Sequence, residues 1–425
     1  MPLTNGYTKG PVSNRLFHLE DSISLSSFKQ ICSRTTDPTL YPQATTISQN
    51  IPIYHTSTLD PTNTTTLQNE WYDILSTGPG IFVLKGMYAP QKYASTLTAT
   101  NTAFTRIINA ERQSKGVKGD HFAAGGKNDR IWNSFSKHAL ADPPSFIEYY
   151  SNPWLKTVAE SWLGPGYRIT AQVNIVKPGG AAQDSHRDYH LGFQDLESCA
   201  AFPKSIQRAS QYLTLQGAVA HSDMPVASGP TRFLPFSQNY EEGYLAWRRD
   251  EFRQFFQANY VALPLELGDG VFFNPAVFHA AGANETKEPE PNPDPAVEGG
   301  EGEGGFHRKA NLLQIGCALG KTMESIDAVP IVERCWEGIL QKYQAQAQEG
   351  KDKEEIDEEL GSLVKAIGEG YPFPTNLDLR PPAPNGMAPE SEQEVLLRGL
   401  AEGWSVDRVV QELRQVQRDS RAFSG

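Results

Sequence analysis

Ser185-His186-Arg187-Asp188-Tyr189-His190 is the stretch from which the rest of the chain is best read. In an extended segment, side chains two apart share a face, so His186 and Asp188 can offer an imidazole and a carboxylate to one ion. About ninety residues on, Phe272-Phe273-Asn274-Pro275-Ala276-Val277-Phe278-His279 predicts an apolar strand ending in a histidine, just before a turn with Gly282 and Asn284. Two histidines and a carboxylate fill one face of a six-coordinate metal and leave the other face open, the donor set of non-haem Fe(II) sites. His190 is near enough to compete for the ion, but Leu191-Gly192 turns the chain away; His221 and His307 are expected at a strand end and in a loop.

Around this stretch, residues 167–319 form short β-type runs between Gly, Pro and Asn turns, at 168–177, 212–220, 231–234, 260–266, 270–273 and 310–319. That spacing predicts a β-sandwich or jelly roll, interrupted by a helix over 240–259. Upstream, residues 67–75 have helical spacing, Gly78-Pro79-Gly80 stops them, and Ile81-Phe82-Val83-Leu84 starts a short strand. Helices are expected over 93–114 and within 144–163. The loop 119–133 carries His121, Phe122, Arg130 and Trp132. It either covers the mouth of a pocket or is a surface connection anchored by Phe122 and Trp132.

Three regions follow: a polar arm over 1–50 with one amphipathic patch at 16–28, a β domain over 51–320, and a helical extension over 321–425. Within the β domain, residues 286–306 hold six carboxylates against one lysine among Pro and Gly, the composition of a solvated insert between core strands. The extension predicts helices at 331–348, 354–367, 391–403 and 405–418, the last with Ser405 as N-cap. Such a tail packs on the β core or pairs with a second copy of the chain.

With 39% hydrophobic and 10% aromatic residues, the 425-residue chain can bury a large core. Its net charge of −12 and lack of a basic cluster speak against a nucleic-acid partner. Cys32, Cys199, Cys317 and Cys335 have no CxxC spacing, so reduced thiols are expected rather than a zinc site or disulfide framework. No run suits a membrane span and the N-terminus has no apolar h-region, which makes the cytoplasm the default location.

Three blocks of sequence resemble the phytanoyl-CoA dioxygenase superfamily of Fe(II)/2-oxoglutarate oxygenases, which includes ectoine hydroxylases and many fungal secondary-metabolism oxygenases. They are Gln172-Val173-Asn174-Ile175-Val176-Lys177-Pro178-Gly179 leading into His186-Arg187-Asp188, Ser222-Asp223 through Gly229-Pro230 to Phe233-Leu234-Pro235, and Leu267-Gly268-Asp269-Gly270 through His279 to Asn284. The resemblance covers roughly residues 81–319. It implies a double-stranded β-helix (jelly roll) with flanking helices, His186, Asp188 and His279 as iron ligands, and 2-oxoglutarate and O2 as cosubstrates. The family's arginine for the distal carboxylate of 2-oxoglutarate lies on the strand after the second histidine. Here the first arginine is Arg308, at the family's separation once the acidic insert is removed, with Lys309 beside it. By similarity to ectoine hydroxylases, Gln172 contacts the cosubstrate, while Tyr189, Phe193, His121, Phe122, Arg130 and Trp132 are candidates for the substrate pocket.

The implied reaction is hydroxylation of a C–H bond in a small organic molecule, releasing succinate and CO2. Two other classes use the same residues: a cupin-like metalloenzyme without 2-oxoglutarate, for which Arg308 is dispensable, and a non-catalytic jelly roll with its acidic loop and helical tail as interaction surfaces.

Overall fold

The computed structural model describes residues 12–20, 23–60, 63–115, 127–287, 306–351, 353–384 and 386–421. His121, Phe122 and nearly all of the acidic insert lie outside these residues. In chain order, α1 (Leu25–Cys32) precedes β1 (Thr46–Ser48) and β2 (Ile51–His55), then α2 (Thr64–Ser76), β3 (Ile81–Lys85) and α3 (Pro90–Lys115). β4 (Asn128–Ile131) leads to α4 (Ser134–Ala141), α5 (Pro143–Tyr150), α6 (Pro153–Leu163) and β5 (Arg168–Val176). After α7 (Leu196–Ala201) and α8 (Lys204–Ser210) come β6 (Thr214–Ala220), β7 (Thr231–Leu234), α9 (Gly243–Ala246) and α10 (Asp250–Asn259). β8 (Val261–Ala262), β9 (Gly270–Phe273), β10 (Phe278–Ala281) and β11 (Arg308–Gly316) complete the strands, and α11 (Ala328–Gln348), α12 (Lys353–Ile367), α13 (Glu392–Ala401) and α14 (Val406–Asp419) end the chain.

Local chemistry starts many of these helices. Asp142 and Asn152 cap α5 and α6 through the N–H groups of Ser145 and Trp154, and each is followed by a proline in the first turn. Ser391 and Glu394 form a reciprocal capping box on α13, and Ser405 caps α14 as expected.

Eight strands form one sheet in the order β1-β2-β3-β9-β6-β11-β5-β4, antiparallel except for the β2–β3 pair. A second sheet has the order β10-β7-β8. The two-residue strand period divides the core. On β3 and β9, Ile81, Val83, Val271 and Phe273 face Phe233 and Val277, while Phe82, Leu84 and Phe272 face the helices. Trp71 of α2 stacks on Phe82 at 4.8 Å between ring centroids.

The C-terminal helices share that outer core. Trp336 of α11 is buried and donates from Nε1 to the Trp404 carbonyl (2.8 Å), and α11 packs on α4 and α5 while α12 packs on α6 and β5. Arg168, the first residue of β5, donates to the Ile326 and Ile367 carbonyls (2.8 and 3.0 Å), tying the tail to the large sheet.

Several expectations from sequence are corrected. Residues 272–279 are not one strand: β9 and β10 belong to different sheets, separated by a turn in which Asn274 Oδ1 accepts from Ala276 N–H. The helix expected over 240–259 is two, α9 and α10, and the strand expected over 260–266 shortens to β8, because Pro264 has no N–H for a ladder. The polar arm contributes structure: Phe28 of α1 is buried against Tyr240, Phe252 and Phe278, and β1 joins the large sheet.

On the outer face, His138 bonds to Ser145 Oγ (2.8 Å) and His221 lies between Tyr149 Oη and Asn101 Oδ1 (both 3.0 Å). Burial pushes both imidazoles down to about 3. Their folded pKa lies below the unfolded value of 6.5, so this stability is complete above pH 6.5 and lost as pH falls towards 3. By pH 5 each is expected to cost the fold about 2 kcal/mol. Urea midpoints at pH 7 and pH 5 check this, with His221→Gln removing about half of the dependence. Trp336→Ala is expected to destabilise the protein by about 3–5 kcal/mol. Far-UV dichroism and tryptophan fluorescence should shift together; a separate early transition of the helices would contradict the shared core.

Candidate metal centre

His186 and Asp188 lie on a loop rather than a strand. That loop meets β10 through a single β-bridge, in which His186 N–H donates to the His279 carbonyl (3.0 Å) and His279 N–H to the His186 carbonyl (3.1 Å). Asp188 N–H donates to the Pro275 carbonyl (2.9 Å). Side-chain direction is fixed just as locally. Nδ1 of His186 faces the Asp184 carbonyl and Nδ1 of His279 the Val277 carbonyl, both at 2.8 Å. A carbonyl only accepts, so each Nδ1 carries the hydrogen and each Nε2 keeps its lone pair.

Those Nε2 atoms meet at Asp188, 3.8 Å from His186 to Oδ1 and 3.4 Å from His279 to Oδ2. All three donor atoms lie within 4.8 Å of one another, and the group is the one such set among the described residues. Burial pushes the His186 imidazole down, which keeps it neutral and ready to bind a cation. For Asp188, burial acts to raise the carboxyl, while positive charge on His186 and His279, when they carry it, and the hydrogen bond from Gln216 act to lower it, and the balance lies well below the usual carboxylate range. Gln216 of β6 donates from Nε2 to Asp188 Oδ2 at 2.6 Å.

Arg187, between the two loop residues, turns the other way. Its guanidinium is fully buried, donates to the Ser237 and Tyr240 carbonyls (2.6 and 2.8 Å), and lies 5.1 Å from the Tyr244 ring centroid and 5.3 Å from that of Phe278. Gly243 makes room for it: a Cβ there would stand 1.9 Å from Arg187 Cζ.

The three residues open onto a cavity of about 670 Å³ between the sheets. Arg308 lines it from the start of β11, 6% exposed, with one hydrogen bond to the Gly282 carbonyl (3.3 Å) and no carboxylate partner among the described residues. Burial lowers its guanidinium to about 10, with no neighbouring charge opposing the shift. Lys309 points the other way, towards His221, and His307 is exposed. Gln172, Arg130, Trp132 and Phe193 also line the cavity. Arg130 donates to Gln172 Oε1 (2.7 Å) and lies 5.0 Å over the Trp132 ring. Tyr189 does not line it: at φ 43° its side chain is buried, with the hydroxyl 3.6 Å from Met323 Sδ. His190 and His221 also stay outside.

Sequence reasoning missed Gln216 and the Met323-Glu324 segment, where Met323 lines the cavity and Glu324 Oε1 accepts from Asn133 N–H (2.8 Å). Nothing in the run Thr214-Leu215-Gln216-Gly217 distinguishes Gln216, whereas the arginine between two candidate ligands was a usable sign of the Arg187 anchor.

A profile described as phytanoyl-CoA dioxygenase (PhyH) matches residues 79–290, the span that holds all three donors. Residues 79–290 are a phytanoyl-CoA dioxygenase-family domain. Fe(II) as cofactor and 2-oxoglutarate with O2 as cosubstrates fit the residues present: the free Nε2 pair and Asp188 suit the metal, and Arg308, with no carboxylate partner among the described residues, suits the keto acid. One similar protein is the dioxygenase andF of Emericella variicolor, 24% identical over 148 residues that make up 33% of this chain. The match spans less than half, 45%, of that relative. Solved structures similar to 61% of this chain at 17% identity include the non-heme alpha ketoglutarate dependent carbocyclase SnoK and epimerase SnoN from nogalamycin biosynthesis. The similarity covers 87% of SnoK and 84% of SnoN, with TM-scores of 0.42 and 0.37. All four cysteines are free, and among the described residues no helix is long and apolar enough to cross a membrane.

Gln216→Leu removes the hydrogen bond that orients Asp188 Oδ2. Metal affinity is expected to fall about 10–100-fold, as measured by anaerobic Fe(II) titration, with the thermal midpoint little changed.

Proposed function

We propose that the protein is an Fe(II)- and 2-oxoglutarate-dependent oxygenase that oxidises, most simply by hydroxylation, a C–H bond of a small organic molecule. His186, Asp188 and His279 are assigned as the iron ligands and Arg308 as the anchor of the 2-oxoglutarate distal carboxylate. The observation that carries this reading is the pair of Nδ1–carbonyl hydrogen bonds, which turns both Nε2 lone pairs towards Asp188. Iron, 2-oxoglutarate and O2 together supply an oxidative decarboxylation to succinate and CO2 that is coupled to oxidation of the substrate.

The protein's own part is placement and exclusion. Gln216 keeps Asp188 Oδ2 oriented. Arg308, buried without a counter-charge among the described residues, offers a planar fork to a carboxylate that enters the cavity. Val83, Leu265, Val271 and Phe273 line the wall with apolar groups that exclude water. Arg130, Trp132 and Phe193 are assigned to the substrate side, and Gln172 acts on it through its hydrogen bond to Arg130. Tyr189 is better assigned to packing against Met323. The fold reading that goes with this function is a double-stranded β-helix, the two sheets closing on the cavity and the four last helices bracing the outside.

The test is succinate formation from 2-oxoglutarate by anaerobically purified, Fe(II)-loaded protein on exposure to air, with a 2-oxoglutarate binding titration alongside. Wild type is expected to bind 2-oxoglutarate and form succinate, and His186→Ala to lose turnover. Arg308→Ala should weaken 2-oxoglutarate by about 30-fold or more, since it removes one partner of a buried charge pair. Iron retention without any 2-oxoglutarate affinity would reject the proposal in favour of a cupin-like metalloenzyme.

A further inference from the structure

The residue after Asp188 holds a backbone conformation that glycine ordinarily supplies. Tyr189 has φ 43° and ψ 155°, a combination that crowds the Cβ of an L-residue and persists only where the surroundings over-determine it. They do so here. The Tyr189 carbonyl accepts from Gly192 N–H (3.1 Å) and from Ser210 Oγ (3.4 Å), and the turn is so tight that a Cβ on Gly192 would stand 2.1 Å from the Arg187 carbonyl oxygen. A glycine at 189 would relieve the crowding but give up the side chain, which is buried and carries a hydroxyl into the fold.

That hydroxyl stands in a chain of hydrogen bonds with one direction. A thioether only accepts, so the Tyr189 hydroxyl gives its hydrogen to Met323 Sδ at 3.6 Å and keeps its oxygen for a donor. The donor is Gln216, whose side chain hydrogen-bonds to Tyr189 in the sense that favours the phenolate, a bond that the oxygen accepts. The same amide donates from Nε2 to Asp188 Oδ2 at 2.6 Å, while its Oε1 is buried with no partner among the described residues. An amide NH2 has two hydrogens, one for each of these acceptors. Successive side chains of an extended chain diverge, and the kink at Tyr189 lets Asp188 and Tyr189 reach one glutamine.

Resting on the assignment of His186, Asp188 and His279 as metal ligands, we propose that Tyr189 is a positioning residue for the metal centre, acting on Asp188 through Gln216. It does not line the cavity and takes no part in the oxidation. Its hydroxyl holds the Gln216 amide with Nε2 towards Asp188, so that Oδ2 keeps one orientation when the ion arrives. The contact with Met323 is thus more than packing: the connection between β11 and α11 supplies the acceptor that aims the hydroxyl.

The experiment titrates the anaerobic full-length protein with Fe(II) and, separately, with Co(II), whose visible bands report the ligand field. Tyr189→Phe keeps the ring and removes the hydroxyl; it is expected to weaken the metal by about tenfold and to shift the Co(II) bands, with the thermal midpoint of the metal-free protein little changed. In a Gln216→Leu background the same substitution should cost no further affinity, because the two residues act as one unit. Met323→Leu leaves Tyr189 in place and runs the same cycle from the other end, with a smaller loss in the same direction. Unchanged affinity and bands in Tyr189→Phe, or a loss of equal size with and without Gln216, overturns the proposal. Wild type that binds neither ion rejects the ligand assignment and the proposal with it. Metal binding that depends on Tyr189 in a protein without affinity for 2-oxoglutarate rejects the oxygenase reading and leaves the positioning role standing.

Discussion

Two main-chain hydrogen bonds between His186 and His279 are the constraint on which the metal centre depends. They join a loop to an edge strand of the small sheet, so the residues that carry the donors are neighbours before any ion arrives. Because backbone makes the junction, the side chains remain available to a ligand. Each imidazole is oriented by a carbonyl two residues earlier in its own chain, and Arg187 pins the loop from behind through the Ser237 and Tyr240 carbonyls. Gln216 reaches the third donor from the large sheet, so three separate parts of the fold converge on a group 4.8 Å across. This is preorganisation in a plain sense: the ordering cost is met during folding rather than on binding.

How much of this the sequence discloses differs between residues. His186, Asp188, His279 and Arg308 are recognisable because metal and anion chemistry restricts the residue types and the family's turns fix their order. Their local structure is harder to foresee. Phe272 to Phe278 is apolar apart from Asn274, and a strand buried on both faces gives no alternation to mark where one sheet stops and another begins, so Asn274-Pro275 is the local sign of the turn between them. β1 and β2 escape notice for a different reason: Pro52 and the surrounding Ser and Thr resemble a loop, and only pairing with β3 gives them a place. Gln216 is invisible because a strand glutamine that faces a carboxylate looks the same as one that faces water. The terminal helices were foreseeable to within a few residues, since Ser391 with Glu394, and Ser405, mark their starts chemically.

The helical tail is bound closely to the β core. Trp336, Trp404 and Gly399 interlock at one end, where a Cβ on Gly399 would approach both indoles at 3.0–3.2 Å. At the other end Arg168 joins the tail's carbonyls to β5, the strand that also presents Gln172 and Asn174 to the cavity. The connection between β11 and α11 passes the cavity on its way, placing Met323 on the lining and Glu324 at the start of α4. A change in how these helices pack therefore has a short physical route to the cavity.

The strand order of the large sheet bears on how the chain is made. β11 lies between β5 and β6, with all nine of its residues, Arg308–Gly316, paired to β5 and seven of them to β6. During synthesis, β5 and β6 therefore emerge well before the strand that separates them, each with an unsatisfied edge. Until residue 316 has left the ribosome they can meet only each other or another chain, which exposes the nascent protein to wrong pairing and aggregation. The central ladder closes late, and a chain stopped before β11 would lack Arg308 as well as the middle of its sheet.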